Sequence, residues 1–279
     1  MLHLDHAIVF VRNLAAAAED YRRLGFTLTP RGSHPTLGTA NHTIMLGRDY
    51  IELLEVVQRN AGSEQWARIL DRREGFGAMA LGTTDAAATR RRLVERGIEV
   101  PALIEFVRPV DLPQGTVEAR FTVAHLPDAA SPALPAFFCQ QHTPHYVWRP
   151  EWQHHPNTAL GIAALTVVDS DPDRLAPAYE LLFGRAFVHP HPGGFAVDLR
   201  GTRLWIVRPE FAAERLGTPL MWSRQPTPVG LSIAVRDLGA TCALLKDNGV
   251  RFQPFGKQSI LLVPAATRGV HLEFIEAPK

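Results

Sequence analysis

Two residues near the start of the chain have the types and settings to do chemistry. His6 lies in an alternating stretch in which Leu4, His6, Ile8 and Phe10 share one face and Asp5, Ala7, Val9 and Val11 the other. That period of two is the mark of a strand with two distinct faces. Glu52 stands between Ile51 and Leu53 in Tyr50-Ile51-Glu52-Leu53-Leu54-Glu55. A carboxylate in such a run is rarely left facing a core without a partner, because an unpaired buried charge is costly. An imidazole on a strand serves either as a hydrogen-bonded core residue or as a ligand. Glu55 reads as an exposed strand-end charge. His42, on a strand expected to line the pocket, is the candidate catalytic residue, a general acid or base; the plainer alternative is a hydrogen-bonding wall residue. His142, His145, His154 and His155 gather around Trp148 and Trp152. Either the cluster closes over a site or, more plainly, the tryptophans pin a crossover segment. His189 and His191, in a Pro-rich turn, read as surface residues.

The elements that must hold these residues follow from the pattern around them. Asn13 can cap a helix over Leu14 to Leu24, with Gly25 as its left-handed stop. Phe26 to Thr29 reads as a second strand, Ala40 to Leu46 as a third and Tyr50 to Val57 as a fourth, with Gly47-Arg48-Asp49 as the hairpin turn. Arg31 to Gly38 reads as a flexible approach to the third strand. This is one β-α-β-β-β unit, and it recurs. Asn13 to Gly25 spans 12 positions, as do Asp85 to Gly97 and Asp237 to Gly249, while Asp171 to Gly184 spans 13. An apolar strand precedes each later copy: Phe76 to Gly82, Leu160 to Val168, and Gly230 to Val235. Further strands follow: Ala119 to Ala124 with Ala136 to Gln141, Phe195 to Leu199 with Arg203 to Val207, and Ser259 to Val263 with Val270 to Ile275. Ser63 to Asp71 is an extra helical connector, and His142 to Asn157 joins the halves. The expected class is α+β: four units in two pairs, each pair a curved sheet with helices outside and a concave pocket within. Residues 1–150 hold the first pair and the candidate site, and residues 151–279 the second, degenerate pair.

With 279 residues and a net charge of +1, the chain is long enough for two ordinary domains with real cores. No apolar run approaches the roughly 20 residues that span a bilayer. The N-terminus enters a strand directly and lacks the features of a signal peptide, so a cytoplasmic protein without a membrane partner is expected. Cys139 and Cys242 are the only cysteines, too few for a disulfide framework or a thiolate metal site, and read as inert thiols. Basic and acidic residues nearly balance, which leaves no footprint for nucleic acid. Arg90-Arg91-Arg92 reads as a solvated helix face. There is no Gly-rich phosphate loop and no Gly-x-Ser-x-Gly elbow, so nucleotide use and serine hydrolysis have no support.

The repeated unit, with Asp5-His6 in its first strand and Ile51-Glu52-Leu53 in its last, resembles the vicinal-oxygen-chelate superfamily. That superfamily includes glyoxalase I, methylmalonyl-CoA epimerase, the extradiol dioxygenases and fosfomycin-resistance proteins. The finer resemblance is to glyoxalase-like domain proteins, carried by Leu37 to His42, Leu46 to Leu54 and Trp148 to Trp152. The resemblance implies two paired-unit glyoxalase/dioxygenase-like sheets. In such a fold a pair of units binds one divalent metal through its first and last strands, and the metal chelates two neighbouring oxygens of a substrate. His6 and Glu52 match those positions in the first unit; an imidazole and a carboxylate suit iron, manganese, zinc or nickel and leave positions open. In the second unit a shift of 72 positions takes His6 onto Ala78. Gln140 is then the expected third metal ligand, with Gln141 or His142 as alternatives, because a slip of one residue flips the face. In the C-terminal pair the first-strand positions fall near Ala164 and Gly230, and Glu273 stands alone. That pair is expected to be a support or lid, or to lend Glu273 or His271 to a shared cleft. The implied function is a divalent-metal-assisted enzyme of the lyase, isomerase or dioxygenase type acting on a small vicinal-oxygen substrate. The competing expectation is a metal-free protein of the same fold that binds or sequesters a small molecule, and a third is a scaffold for interactions. A homodimer is compatible with all of them.

Overall fold

A computed structural model of the chain describes residues 2–112, 114–216 and 225–278. The first unit is β1 (His3–Phe10), α1 (Leu14–Arg23), β2 (Gly32–His34), β3 (Thr39–Met45) and β4 (Tyr50–Val56). Helix α2 (Glu64–Arg72) leads to the second, β5 (Gly75–Gly82), α3 (Ala86–Glu95), β6 (Ile104–Leu112), β7 (Gly115–His125) and β8 (Ala136–Gln141). After the short α4 (Pro144–Val147) come β9 (Ala159–Val168), α5 (Ala176–Phe183), β10 (Val188–His191), β11 (Gly194–Asp198) and β12 (Arg203–Val207). Helix α6 (Pro209–Leu216) leads to β13 (Thr227–Val235), α7 (Leu238–Asp247), β14 (Phe252–Phe255), β15 (Ser259–Leu262) and β16 (His271–Glu276). One eight-stranded sheet has the order β2-β3-β4-β1-β5-β8-β7-β6, and the other β10-β11-β12-β9-β13-β16-β15-β14. The two orders are the same pattern used twice. Within each sheet the two units meet through their first strands, β1 antiparallel to β5 and β9 antiparallel to β13. The α+β architecture of four β-α-β-β-β units in two curved sheets is thus the fold of this chain.

Local chemistry explains why the units repeat. Asn13, Asp85 and Asp237 each accept the backbone N–H three residues on, from Ala16, Ala88 and Ala240. Such a cap satisfies a donor that the first turn leaves orphaned and stabilises by about 1 kcal/mol. The third unit, with the longer spacing, departs: a 3-10 turn over Pro172–Leu175 precedes α5. Other elements depart from expectation. Phe26 to Thr29 forms no strand, and the second strand lies instead at Gly32–His34, inside the stretch expected to be a loose approach. Strands β6, β10 and β14 and helix α6 lack a clear apolar signature. Each of the three strands ends a sheet, half exposed, and so needs no regular apolar face.

Alternation then sorts the core into layers. Ala7 and Val9 of β1 belong to one large apolar cluster with Leu231 and Ile233 of β13 and Leu272 and Phe274 of β16. Ile8 and Phe10, on the other face of β1, belong to a separate cluster with Trp66 of α2 and Phe137 of β8. A third cluster, with Ala212 and Leu216 of α6, occupies the corresponding face of the second sheet. The sheets therefore stand back to back, and their concave faces point apart. Phe26 packs on Phe274 with ring centroids 5.7 Å apart, and the Tyr21 hydroxyl donates to the Thr267 carbonyl at 3.2 Å. Gly75 and Gly269, both at positive φ, let the two backbones touch: a Cβ on Gly75 would lie 2.8 Å from the Gly269 carbonyl oxygen.

Candidate functional site

A cavity opens on the concave face of the first sheet, with about 800 Å³ of free space including its mouth. Its lining residues all lie between His6 and Cys139, so no described residue of the second half reaches it. Ile8, Leu54, Trp66, Phe106, Phe121 and Phe137 make it apolar, and His6, Asn41, Glu52 and Arg108 give it one polar end.

Strand register brings the polar end together. In the parallel pair β1–β4, His6 lies beside Tyr50 and Ile8 beside Glu52, so His6 and Glu52 share a face. In the antiparallel pair β3–β4, Thr43 lies opposite Glu52, which puts Thr39, Asn41 and Thr43 on that face as well. The His6 Nε2 atom is 3.5 Å from Glu52 Oε2. On its other side, His6 Nδ1 meets Asp5 Oδ1 at 2.7 Å. Asp5 reaches that position because the β1–β5 ladder slips between Leu4 and His6, re-aiming a side chain as bulges do. Gln141 Nε2 donates to both Asp5 oxygens at 3.2 and 3.0 Å, and Trp148 Nε1 donates to Gln141 Oε1 at 3.3 Å. Tyr50 stacks on the imidazole with centroids 4.3 Å apart. The ring of His6 is therefore fixed in plane, tilt and direction.

The other oxygen of Glu52, Oε1, accepts from Asn41 Nδ2 at 2.5 Å. The amide oxygen of Asn41 in turn accepts from Arg108 Nη1 at 3.4 Å. Burial governs the ionisable groups around this chain. It lowers His34 to about 4 despite the nearby Glu52, so that imidazole is neutral beside Thr39. Burial also raises the Tyr50 phenol and the Cys139 thiol well above their ordinary ranges, with Asp5 adding to both. It lowers Arg108, an effect that Tyr50 and Glu52 oppose.

Of the residues expected to form the site, the structure brings His6 and Glu52 together and leaves two others outside. His42 has the opposite parity on β3 from Asn41, and its Nδ1 meets the Thr29 carbonyl at 2.8 Å on the back of the sheet. It lines no part of the cavity, and burial lowers its pKa. Gln140 likewise faces backwards: its Oε1 accepts the N–H of Ala86 at 2.8 Å, at the start of α3. Gln141 is the glutamine on the side of His6, and it holds Asp5. Asn41 and Arg108 are the residues that sequence reading missed. The hairpin offered a signal for Asn41, since counting back from the turn pairs Met45 with Tyr50 and so Thr43 with Glu52. Nothing flagged Arg108, which lies on the unforeseen β6. The crossover segment is strapped to the first sheet: His155 Nδ1 accepts from the Thr27 N–H at 3.1 Å and Nε2 meets the Met45 carbonyl at 2.9 Å.

The donor set can be tested against a divalent metal. The two units are related so that His6 pairs with Ala80 and Ile8 with Ala78, which puts Ala78 where the second unit would carry its own histidine. Ile8 pairs with Glu52 as Ala80 pairs with Phe137, which puts Phe137 at the position of the second carboxylate. A methyl and a phenyl group stand where two donors would be. Among the described residues no group of three or more His, Cys, Asp or Glu side chains could hold a metal ion. Metals in catalytic sites are ordinarily held by three protein ligands, and two do not fit. In the second sheet, Glu273 lies opposite Ser232, accepts its hydroxyl at 2.5 Å and is buried, with Gly230 where a histidine would be needed.

A family model described as a glyoxalase-like domain matches residues 4–183, and the chain belongs to that family. A hypothetical protein from Staphylococcus aureus has the same architecture, with a TM-score of 0.70 at 15% identity, covering 99% of this chain and 100% of that one. A mutant of 4-hydroxymandelate synthase from Streptomyces coelicolor is similar with a TM-score of 0.61 at 14% identity, covering 99% and 93%. At such identities the likeness is one of fold. A search of curated proteins finds no match. No helix among the described residues is long and apolar enough to cross a membrane.

Proposed function

We propose that this chain is a small-molecule enzyme whose N-terminal cavity moves a proton with His6 and Glu52. The observation that carries the reading is the 3.5 Å approach of His6 Nε2 to Glu52 Oε2 at the polar end of an apolar cavity, with His6 Nδ1 anchored on Asp5. With Nδ1 turned to Asp5, Nε2 is the ring nitrogen that faces Glu52. An imidazole and a carboxyl group in reach of one bound molecule supply a base and an acid. On a substrate with a C–H bond beside a carbonyl, the base takes the carbon-bound proton and an enolate forms. The partner then returns a proton to another carbon or to the opposite face, so the overall change is an isomerisation. Asn41 holds Glu52 in place for both steps.

One observation favours the metal-assisted reading: His6 and Glu52 converge from two strands on one point. The protein supplies only two donors there, so the others would have to come from outside it. A protein that binds without turnover is the remaining alternative.

The test incubates full-length protein in D₂O with a panel of enolisable ketones and follows loss of the α-proton signal by NMR, with and without chelator. Exchange that survives chelator and disappears in His6→Ala and Glu52→Gln supports the proposal. Near-stoichiometric iron, manganese, zinc or nickel, lost in both variants, supports the metal instead. Ligand binding without exchange leaves a binder.

A further inference from the structure

The polar end of the cavity contains a cation that the proton transfer does not use. Arg108 is 7% exposed, projects from β6 into the cavity and is one of its lining residues. Its hydrogen bond, from Nη1 to Asn41 Oδ1, is long at 3.4 Å, and among the described residues no carboxylate lies within ion-pair distance of it. A guanidinium has five N–H donors in a planar fork. Burying one with so little compensation is costly. Glu52, whose charge acts on Arg108, is turned towards His6 and is separated from Arg108 by the Asn41 amide, which donates to Glu52 and accepts from Arg108.

The backbone makes room for this arrangement. A Cβ on Gly32 of β2 would lie 2.3 Å from Asn41 Oδ1 and 2.6 Å from Arg108 Nη1. Glycine at this position is what lets the guanidinium and the amide meet. The walls beside them are apolar and aromatic: Phe106 stacks on Phe121 with centroids 5.2 Å apart, and Leu37 and Leu54 complete the surface.

We infer that Arg108 is the seat for an anionic oxygen pair, and that the ligand of this cavity is a monocarboxylate with an apolar, aryl or alkyl body. The fork of Arg108 matches a carboxylate in two parallel hydrogen bonds, and the phenyl-lined wall takes the body. This inference rests on the cavity being a small-molecule site, as proposed above, and adds the class of molecule.

The experiment measures binding of two matched pairs to the full chain by calorimetry: 3-phenylpropanoate against 3-phenylpropanamide, and hexanoate against hexanamide. The acids are expected to bind at least about ten-fold more tightly than the amides. Arg108→Met removes that preference, Arg108→Lys keeps part of it, and His42→Asn, on the back of the sheet, leaves it intact. Without ligand, Arg108→Met melts at or above the wild-type temperature, because it removes a poorly compensated buried charge. Equal binding of acids and amides, or a preference that survives Arg108→Met, overturns the assignment. So does a marked loss of stability in Arg108→Met, which would mean that the guanidinium is structural. Ketone exchange that persists while acids and amides bind alike sinks this inference alone. The absence of both binding and exchange sinks the proposed function with it.

Discussion

Asp49 accepts the backbone N–H of Ile162 at 2.9 Å, so a carboxylate in the β3–β4 turn is tied to β9 of the other sheet. Its second oxygen is buried without a hydrogen bond, and Arg48 Nε is 3.9 Å away. Burial pushes the carboxyl up to about 7, a rise that the Ile162 N–H and Arg48 oppose and Asp5 reinforces. The unfolded chain titrates near 3.8, so the folded state favours the protonated form. Stability from this group is whole below pH 4 and falls as pH rises through 7. Asp49→Asn is therefore expected to melt a few degrees above wild type at pH 8 and level with it at pH 4. Melting curves of the two proteins across that range decide the matter, and a constant difference would refute it.

The two adjacent glutamines of β8 are expected to give opposite phenotypes. Gln140→Leu removes the acceptor for the Ala86 N–H and should cost about 1 kcal/mol of stability while leaving proton exchange untouched. Gln141→Leu frees Trp148 Nε1 and Asp5 Oδ2 and leaves Asp5 Oδ1 with His6 alone, and should slow exchange by about ten-fold, as loss of a supporting hydrogen bond does elsewhere. Exchange rates and melting temperatures of both variants are the readout. A slower Gln140→Leu would show that the strand parity is wrong.

His42 should matter for folding and not for chemistry. Burial lowers it below its ordinary 6.5, so the neutral imidazole is the folded form. The stability it lends is present above 6.5 and drains away as pH falls. His42→Asn should keep the wild-type exchange rate and lose less stability between pH 7 and pH 5. A collapse of exchange in this variant at full fold would return His42 to the reaction.

If a full donor set is what a metal needs in this fold, restoring it should create a site. Ala78→His with Phe137→Glu puts an imidazole and a carboxylate where the symmetry of the pair requires them. Crowding at Ala78 should cost about 1–3 kcal/mol in the metal-free state, recovered when zinc or manganese is added. Metal content and melting temperature with and without the ion test this. A double variant that stays metal-free would mean that more than two residues separate this cavity from a chelating one.

The repeat could be read from sequence because its markers are local: a cap, an apolar stripe and a glycine at fixed spacing. Asn13, Asp85 and Asp237 act within four residues of themselves, so no tertiary knowledge was needed. The site was legible only where it followed strand alternation. His6 and Glu52 stood out because a polar side chain interrupts an apolar run on each strand. His42 and Gln140 are each one residue from the face that carries His6 and Glu52, and a strand reverses its facing at every step. Arg108 was invisible for another reason. It lies on an edge strand where the apolar Val107 is exposed and the charged Arg108 buried, so residue type runs against facing, and the cavity it enters is built largely by other strands.

The two sheets share one apolar layer, so the second half covers the back of the first sheet. Leu231, Ile233, Leu272 and Phe274 stand behind Ala7 and Val9 as a backing plate. Leu272 and Phe274 line no part of the cavity, so trimming either should lower the melting temperature through lost burial and leave the cavity's own lining in place. A chain cut at residue 150 would bare Val9 and its neighbours, which the second half keeps from water.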